Sequence, residues 1–167
     1  MTAPRITAII TSYNYGRFVG EAVESVLAQG FSPAELEVVV VDDGSTDGTP
    51  EQVRKFGSRI HYLRKANGGQ ASALNAGFEN ARGEIVALLD ADDVWLPNKL
   101  RRVCEAFERR PDAIAVQHIR SIWNSENGAV GADPELPDTS RAFPLSAADL
   151  LRHGVSPTSA VAYRKSL

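Results

Sequence analysis

The chain has 167 residues, the length of one ordinary domain, and 43% of them are apolar. Its 18 Lys and Arg against 21 Asp and Glu give a net charge of −3, with no basic run of the kind that draws nucleic acid. Cys104 is the single cysteine and cannot close an internal disulfide, and no apolar run approaches the about 20 residues of a membrane helix. Met1 to Arg5 leads into a short apolar run with no signal peptide. The expected location is the cytoplasm, with a peripheral place at a membrane left open.

Ile6 to Thr11 reads as a buried strand, broken by Ser12-Tyr13-Asn14-Tyr15-Gly16. Phe18, Val19, Ala22, Val23, Val26 and Leu27 form one helical stripe, ended by Gly30 and Pro33. Leu36 to Val41 is apolar except at Glu37 and reads as a central strand covered on both faces. Asp42 to Thr49 is a turn, and Thr49-Pro50 opens a helix with proline at the first helical position. Ile60 to Leu63 is a strand. Asn67-Gly68-Gly69 turns into an Ala-rich helix reaching about Asn80, and Glu84 to Leu89 is a second buried strand. Leu96-Pro97 opens a helix to about Arg109, and Ala113 to Ile119 is a strand. Asn124 to Pro144 reads as a long loop or hairpin, Ser146 caps a short helix to Arg152, and Thr158 to Tyr163 is a last strand. Alternating strands and helices predict an α/β fold with a mostly parallel sheet.

In such sheets ligands bind beyond the carboxyl ends of the strands. Three strand ends here are polar: Thr11-Ser12-Tyr13-Asn14, Asp42-Asp43-Gly44-Ser45-Thr46-Asp47 and Asp90-Ala91-Asp92-Asp93. Two carboxylate clusters at one sheet edge repel unless a cation lies between them, and carboxylate oxygens suit Mg²⁺ or Mn²⁺. In an extended chain Asp90 and Asp92 face one way and Asp93 the other. Each segment also has a plainer reading. Asp42 to Asp47 serves as a tight turn, Asp90 to Asp93 caps a helix near Trp95, and Asn67-Gly68-Gly69 is either a phosphate cradle or a loop. Trp95 and Trp123 read as core or rim aromatics and Cys104 as a buried small hydrophobe. His61, His118 and His153 do not cluster. Arg101-Arg102 and Arg109-Arg110 read as a solvated face, with an anionic lipid surface as the alternative.

Four segments in order, Ile9-Ile10-Thr11-Ser12-Tyr13-Asn14, Val40-Val41-Asp42-Asp43-Gly44-Ser45-Thr46-Asp47, Asn67-Gly68-Gly69-Gln70-Ala71 to Gly77, and Leu89-Asp90-Ala91-Asp92-Asp93, resemble the motifs of family 2 glycosyltransferases. The resemblance implies the GT-A fold, a Rossmann-like, mostly parallel sheet with helices on both faces. It implies a nucleotide diphosphate sugar donor, UDP-linked by preference, an acceptor that is a saccharide, lipid or protein, and inversion. By the resemblance Thr11, Tyr13, Asp42, Asp43, Gln70 and Asp90 line the nucleotide site. Asp92, with Asp90, holds Mn²⁺ or Mg²⁺ at the diphosphate. The family's general base lies after the strand that Ser159 to Tyr163 begins, and no such acidic stretch is present before Leu167. The chain is therefore expected to be one domain, 1–167, holding the donor half with the base beyond Leu167. The competing reading is a nucleotide-sugar-binding module with no transfer activity of its own. A dinucleotide-binding oxidoreductase lacks support, because no G-x-G-x-x-G follows the first strand.

Overall fold

Apolar runs flanked by Gly, Pro, Asp and Asn set the strands, and the apolar stripes of the intervening segments set which side each helix covers. The computed structural model describes residues 4–118, 121–123, 130–132 and 158–165. In chain order these hold β1 (Ile6–Ser12), α1 (Val19–Leu27), β2 (Leu36–Asp42), α2 (Thr49–Arg54), β3 (His61–Arg64), α3 (Gln70–Asn80), β4 (Ile85–Asp90), α4 (Lys99–Arg109), β5 (Ala115–Gln117), β6 (Ser121–Trp123), β7 (Val130–Ala132) and β8 (Val161–Arg164). The main sheet has the order β3-β2-β1-β4-β8-β5. β3, β2, β1 and β4 pair in parallel, while β8 is antiparallel to both β4 and β5. β8 alone therefore runs against the other five strands, so the sheet is mostly parallel, as expected, with one reversed member.

Side-chain alternation divides the core. Ile6, Ala8 and Ile10 of β1 join Val38 and Val40 of β2 and Ile85, Ala87 and Leu89 of β4 under α1, α2 and α4. Ile9, Val39, Val41, Val86 and Leu88 face α3 on the other side. Helices thus cover both faces. α3 lies so close to β1 that a Cβ on Gly77 would stand 2.6 Å from Ile9 Cγ2, a contact only glycine allows. Glu37, the one polar residue expected within β2, is buried on the α3 face. It accepts from the Thr7 hydroxyl at 2.7 Å, the Arg82 amide at 2.9 Å and Arg82 Nε at 2.6 Å. Burial opposes its ionisation, but those donors outweigh it and hold the carboxyl below the usual range.

Three boundaries differ from the pattern. α4 begins at Lys99 rather than Leu96, because Asn98 adopts a left-handed φ of 66° and keeps the preceding turn out of the helix. The strand expected at Ala113 to Ile119 is only Ala115–Gln117. The last strand starts at Val161, after a 3₁₀ turn over Thr158–Ala160. β6 and β7 form an antiparallel hairpin inside the segment expected as a loop or hairpin. The rest of that segment and the helix expected from Ser146 lie outside the described residues.

Candidate functional site

β1, β2 and β4 end side by side, with Thr11 in register with both Val41 and Asp90, so their following loops share one edge of the sheet. A cavity of about 390 Å³ opens there. Thr11, Ser12, Tyr13 and Tyr15 line it from the first loop, Asp43 from the second, Asn67, Gly69, Gln70 and Ala73 from the start of α3, and Asp90, Ala91 and Asp92 from the fourth strand. Six of the seven expected site residues meet here: Thr11, Tyr13, Asp43, Gln70, Asp90 and Asp92.

Asp42 is the exception. It falls on the α1 and α2 face of β2, is fully buried and does not line the cavity. Its Oδ1 accepts the Ser45 amide at 2.8 Å and its Oδ2 accepts the Tyr62 hydroxyl at 2.6 Å, with Arg64 Nε 3.6 Å away. Burial and then that hydrogen bond push the Tyr62 phenol well up. Asp42 therefore shapes the turn and stands away from the cavity, because neighbouring strand residues point to opposite faces.

Asp43 points into the cavity with its acceptors largely used. Lys65 Nζ donates to Oδ1 at 2.6 Å, the Gly69 amide to Oδ2 at 2.7 Å, and the Gly68 amide to both oxygens at 3.1 Å. Burial raises its pKa, but these donors overcome it and the carboxyl sits below the ordinary value. The Gly68 and Gly69 amides are thus turned onto the Asp43 carboxylate, and the Asn67 side-chain amide onto the Asp43 carbonyl, so this turn is neither a free phosphate cradle nor an unattached loop.

At the end of β4, Thr11 Oγ1 and Gln70 Nε2 donate to Asp90 Oδ1 at 3.2 and 2.9 Å, and Gln70 also reaches Thr158 Oγ1 at 3.2 Å. The Asp90 amide donates to Ser159 Oγ at 2.9 Å. Burial raises the Asp90 pKa, opposed by Gln70 and Thr11 and reinforced by the charges of Asp93 and Asp92. These carboxylates do not alternate as they would in an extended chain. Residues 91–92 form a turn closed by Asp93 N donating to Asp90 O at 3.1 Å. Asp92 lines the cavity and Asp93 does not, through that turn and not through strand alternation. Nor do these aspartates cap a helix, since α4 starts only at Lys99.

Tyr15, Thr158 and Ser159 were not singled out by sequence. Tyr15 lies in the loop after β1. The Asn14 amide donates to Ser45 Oγ at 2.9 Å, Asn14 Oδ1 accepts the Thr46 amide at 2.8 Å, and the Gly16 amide donates to Asp47 at 2.9 Å, so the turn after β2 pins that loop. The Tyr15 phenol is pushed up, first by the charge of Asp92 and then by burial and a hydrogen bond to the same carboxylate. Its only sequence signal was an aromatic at a strand end.

No group of three or more His, Cys, Asp or Glu among the described residues is arranged to hold a metal by itself. A site of one or two carboxylates completed by substrate phosphates is, however, a common way to hold Mg²⁺. Asp90 and Asp92 match that donor set, and no Lys or Arg among the described residues pairs with either or with Asp93. No described helix is long and apolar enough to cross a membrane.

Against known proteins, the sequence model described as Glycosyl transferase family 2 matches residues 7–166. An uncharacterized glycosyltransferase of Nostoc sp. (strain PCC 7120) is 39% identical over 175 residues, spanning 98% of this chain and 52% of the relative. One of Rickettsia prowazekii (strain Madrid E) is 42% identical over 98 residues, 59% of this chain and 30% of the relative. Among solved structures, S. aureus TarS 1–349 has a TM-score of 0.73 at 26% identity, over 97% of this chain and 47% of that one. Mannosyltransferase PcManGT from Pyrobaculum calidifontis, in complex with GDP-Man and Mn²⁺, has a TM-score of 0.62 at 30% identity, over 76% and 38%. The architecture is that of the GT-A neighbours. The chain spans about half the length, or less, of these proteins.

Proposed function

The chain belongs to glycosyl transferase family 2, and from that premise we propose that it is the donor-binding part of a glycosyltransferase using a nucleoside-diphosphate sugar. The observation that carries the reading is one cavity whose carboxylates differ in kind. Asp43 is anchored by internal donors at one end, and Asp90 and Asp92 have no Lys or Arg partner among the described residues at the other. The base lies at Asp43 with Thr11 and Tyr13, and the diphosphate lies at Asp90 and Asp92. Mn²⁺ or Mg²⁺, when bound there, neutralises charge on the departing diphosphate. The similarity to PcManGT, solved with GDP-Man and Mn²⁺, supports both assignments.

In the proposed reaction the acceptor hydroxyl attacks the anomeric carbon and the bond from that carbon to the diphosphate oxygen breaks. The nucleoside diphosphate leaves with the electron pair, and a carboxylate base takes the hydroxyl proton. Thr11 and Gln70 hold Asp90, and Asp43 fixes the base so that the sugar lies at the cavity mouth. Asp90, Asp92 and Asp43 are all committed in this scheme, so none of them serves as that proton acceptor.

A carboxylate accepts the imino N–H of uracil, thymine or guanine, whereas cytosine and adenine present a ring-nitrogen acceptor there. Melting curves with Mn²⁺ and each nucleoside diphosphate test this, because a ligand of the native state raises its melting temperature. UDP or GDP is expected to stabilise the chain and CDP and ADP are not. Equal shifts with ADP and CDP, or none with any, would sink the proposal.

A further inference from the structure

Resting on that reading of Asp43, we propose that Lys65 is a positioning residue of the base pocket, holding the Asp43 carboxylate ionised and oriented toward an imino N–H of the base. Three N–H donors hold the Asp43 carboxylate. An ionised carboxylate offers roughly four lone-pair sites. At Asp43, Lys65 and Gly68 occupy Oδ1 while Gly69 and the shared Gly68 amide occupy Oδ2. The shared Gly68 amide, 3.1 Å from each oxygen, is the longest of these contacts and the one with which an imino N–H of the base would compete. Lys65 is the only charged donor of the three.

The loop carrying Lys65 has little freedom to move. The Lys65 amide donates to Asp42 O at 3.0 Å, continuing the β2–β3 pairing, and its Nζ also donates to Ala66 O at 2.6 Å. Gly44 has φ +84°, and a Cβ there would stand 2.8 Å from the Asn67 amide. A Cβ on Gly68 would stand 3.0 Å from Lys65 Nζ. Two glycines thus let the turn after β2 and the turn before α3 close on each other, with the Lys65–Asp43 pair between them. Lys65 does not itself line the cavity, so it acts through Asp43. The groups facing Asp43 are Lys65 from the end of β3 and the Gly68 and Gly69 amides. The Asp42 carboxylate next to it is engaged on the other face of β2 by Tyr62 and Arg64.

The experiment is calorimetric titration of the whole chain with UDP and with CDP in chelator-containing buffer between pH 5.5 and 8. The proteins are the wild type, Lys65→Met, Lys65→Arg and Asp43→Asn. The UDP-to-CDP affinity ratio cancels titration of the diphosphate. Lys65→Met is expected to weaken UDP about tenfold at pH 7, the loss of one hydrogen bond to a charged group. That loss deepens as pH falls, since Asp43 without its ammonium protonates at higher pH, whereas the wild-type ratio stays flat. CDP is unaffected, and Lys65→Arg restores most of the UDP affinity. If Asp43→Asn loses UDP while Lys65→Met keeps the wild-type ratio at every pH, the role of Lys65 is wrong and the base pocket stands. If Asp43→Asn also keeps UDP, the base-pocket reading falls and this proposal with it. A melting curve verifies each fold, and Lys65→Gln replaces Lys65→Met should the latter not fold.

Discussion

The carboxylates after β2 and those after β4 reach the same edge of one sheet, yet the chain treats them in opposite ways. Asp42 and Asp43 are sequestered and supplied with donors from within: Tyr62 and Arg64 for one, Lys65 and two amides for the other. Asp92 and Asp93 are exposed, Asp90 is half-buried with only neutral donors, and no Lys or Arg among the described residues pairs with any of them. The first cluster builds the pocket. The second is left short of positive charge, and its mutual repulsion shows in the rise that Asp93 and Asp92 add to Asp90. Acidic strand ends that look alike in sequence can thus be braced by internal donors at one position and left without a cationic partner among the described residues at the next.

The largest effect on folding is expected at the supplied end. Asp43→Ala removes the acceptor of the Gly68 and Gly69 amides at the start of α3 and leaves the Lys65 ammonium without its carboxylate. A cost of about 2 kcal/mol in urea unfolding is expected at pH 7. The sign with pH follows from the lowered pKa of Asp43 in the folded state. Its stabilisation is present above the unfolded carboxyl value and is lost as pH falls through the folded one. The gap between wild type and Asp43→Ala therefore closes on acidification. A gap unchanged down to pH 2 would mean that Asp43 is not a stabilising anion, and the contrast with the β4 cluster would break.

At the unsupplied end the expectation is reversed. Asp92→Ala removes one of three clustered charges and no ion pair among the described residues, so its unfolding free energy is expected to be unchanged or slightly raised. In titrations with and without Mn²⁺, the extra nucleotide affinity conferred by the metal disappears. Asp93→Ala, which does not line the cavity, keeps most of it. Retention of full metal dependence by Asp92→Ala would remove that residue from the metal site.

The division between the clusters was only partly legible in sequence. The strands and helices of residues 6–95 followed from apolar period and from Gly, Pro and Asp punctuation, and the shared sheet edge followed from strand–helix alternation. What failed was direction. Leu36 to Val41 is apolar on both faces, so the run gave no sign of which face Asp42 would take. Asp90-Ala91-Asp92 leaves the strand in a turn, where alternation has no force. The hydrogen-bonding partners are non-local. Lys65 stands 22 residues from Asp43, and Ser159 stands 69 from Asp90. Those pairings arise from sheet order, which spacing along the chain does not encode.

Lys99 is the inverse case and carries the smallest expected effect: a cation for which the described residues supply no anion. It opens α4 on the same connection that bears Asp92, and its Nζ is buried without a hydrogen-bond partner, 3.6 Å over the ring of Trp95. Burial pulls its pKa down to about 7. The unfolded chain therefore binds more protons than the folded one between about pH 7 and the ordinary lysine value, and stability attributable to this residue rises with pH across that window. Below it the burial penalty is fully present. The ring beneath opposes the penalty, since a desolvated cation over an indole gains about 1–2 kcal/mol. Lys99→Met keeps the stem and removes the charge, so the difference from wild type measures which term wins. The expected result is a gain of about 1 kcal/mol or less at pH 6 that shrinks toward pH 10, read from urea unfolding at each pH. A variant less stable than wild type at pH 6 would mean that Trp95 does for Lys99 what Lys65 does for Asp43, and that the chain leaves no buried charge unanswered at this position.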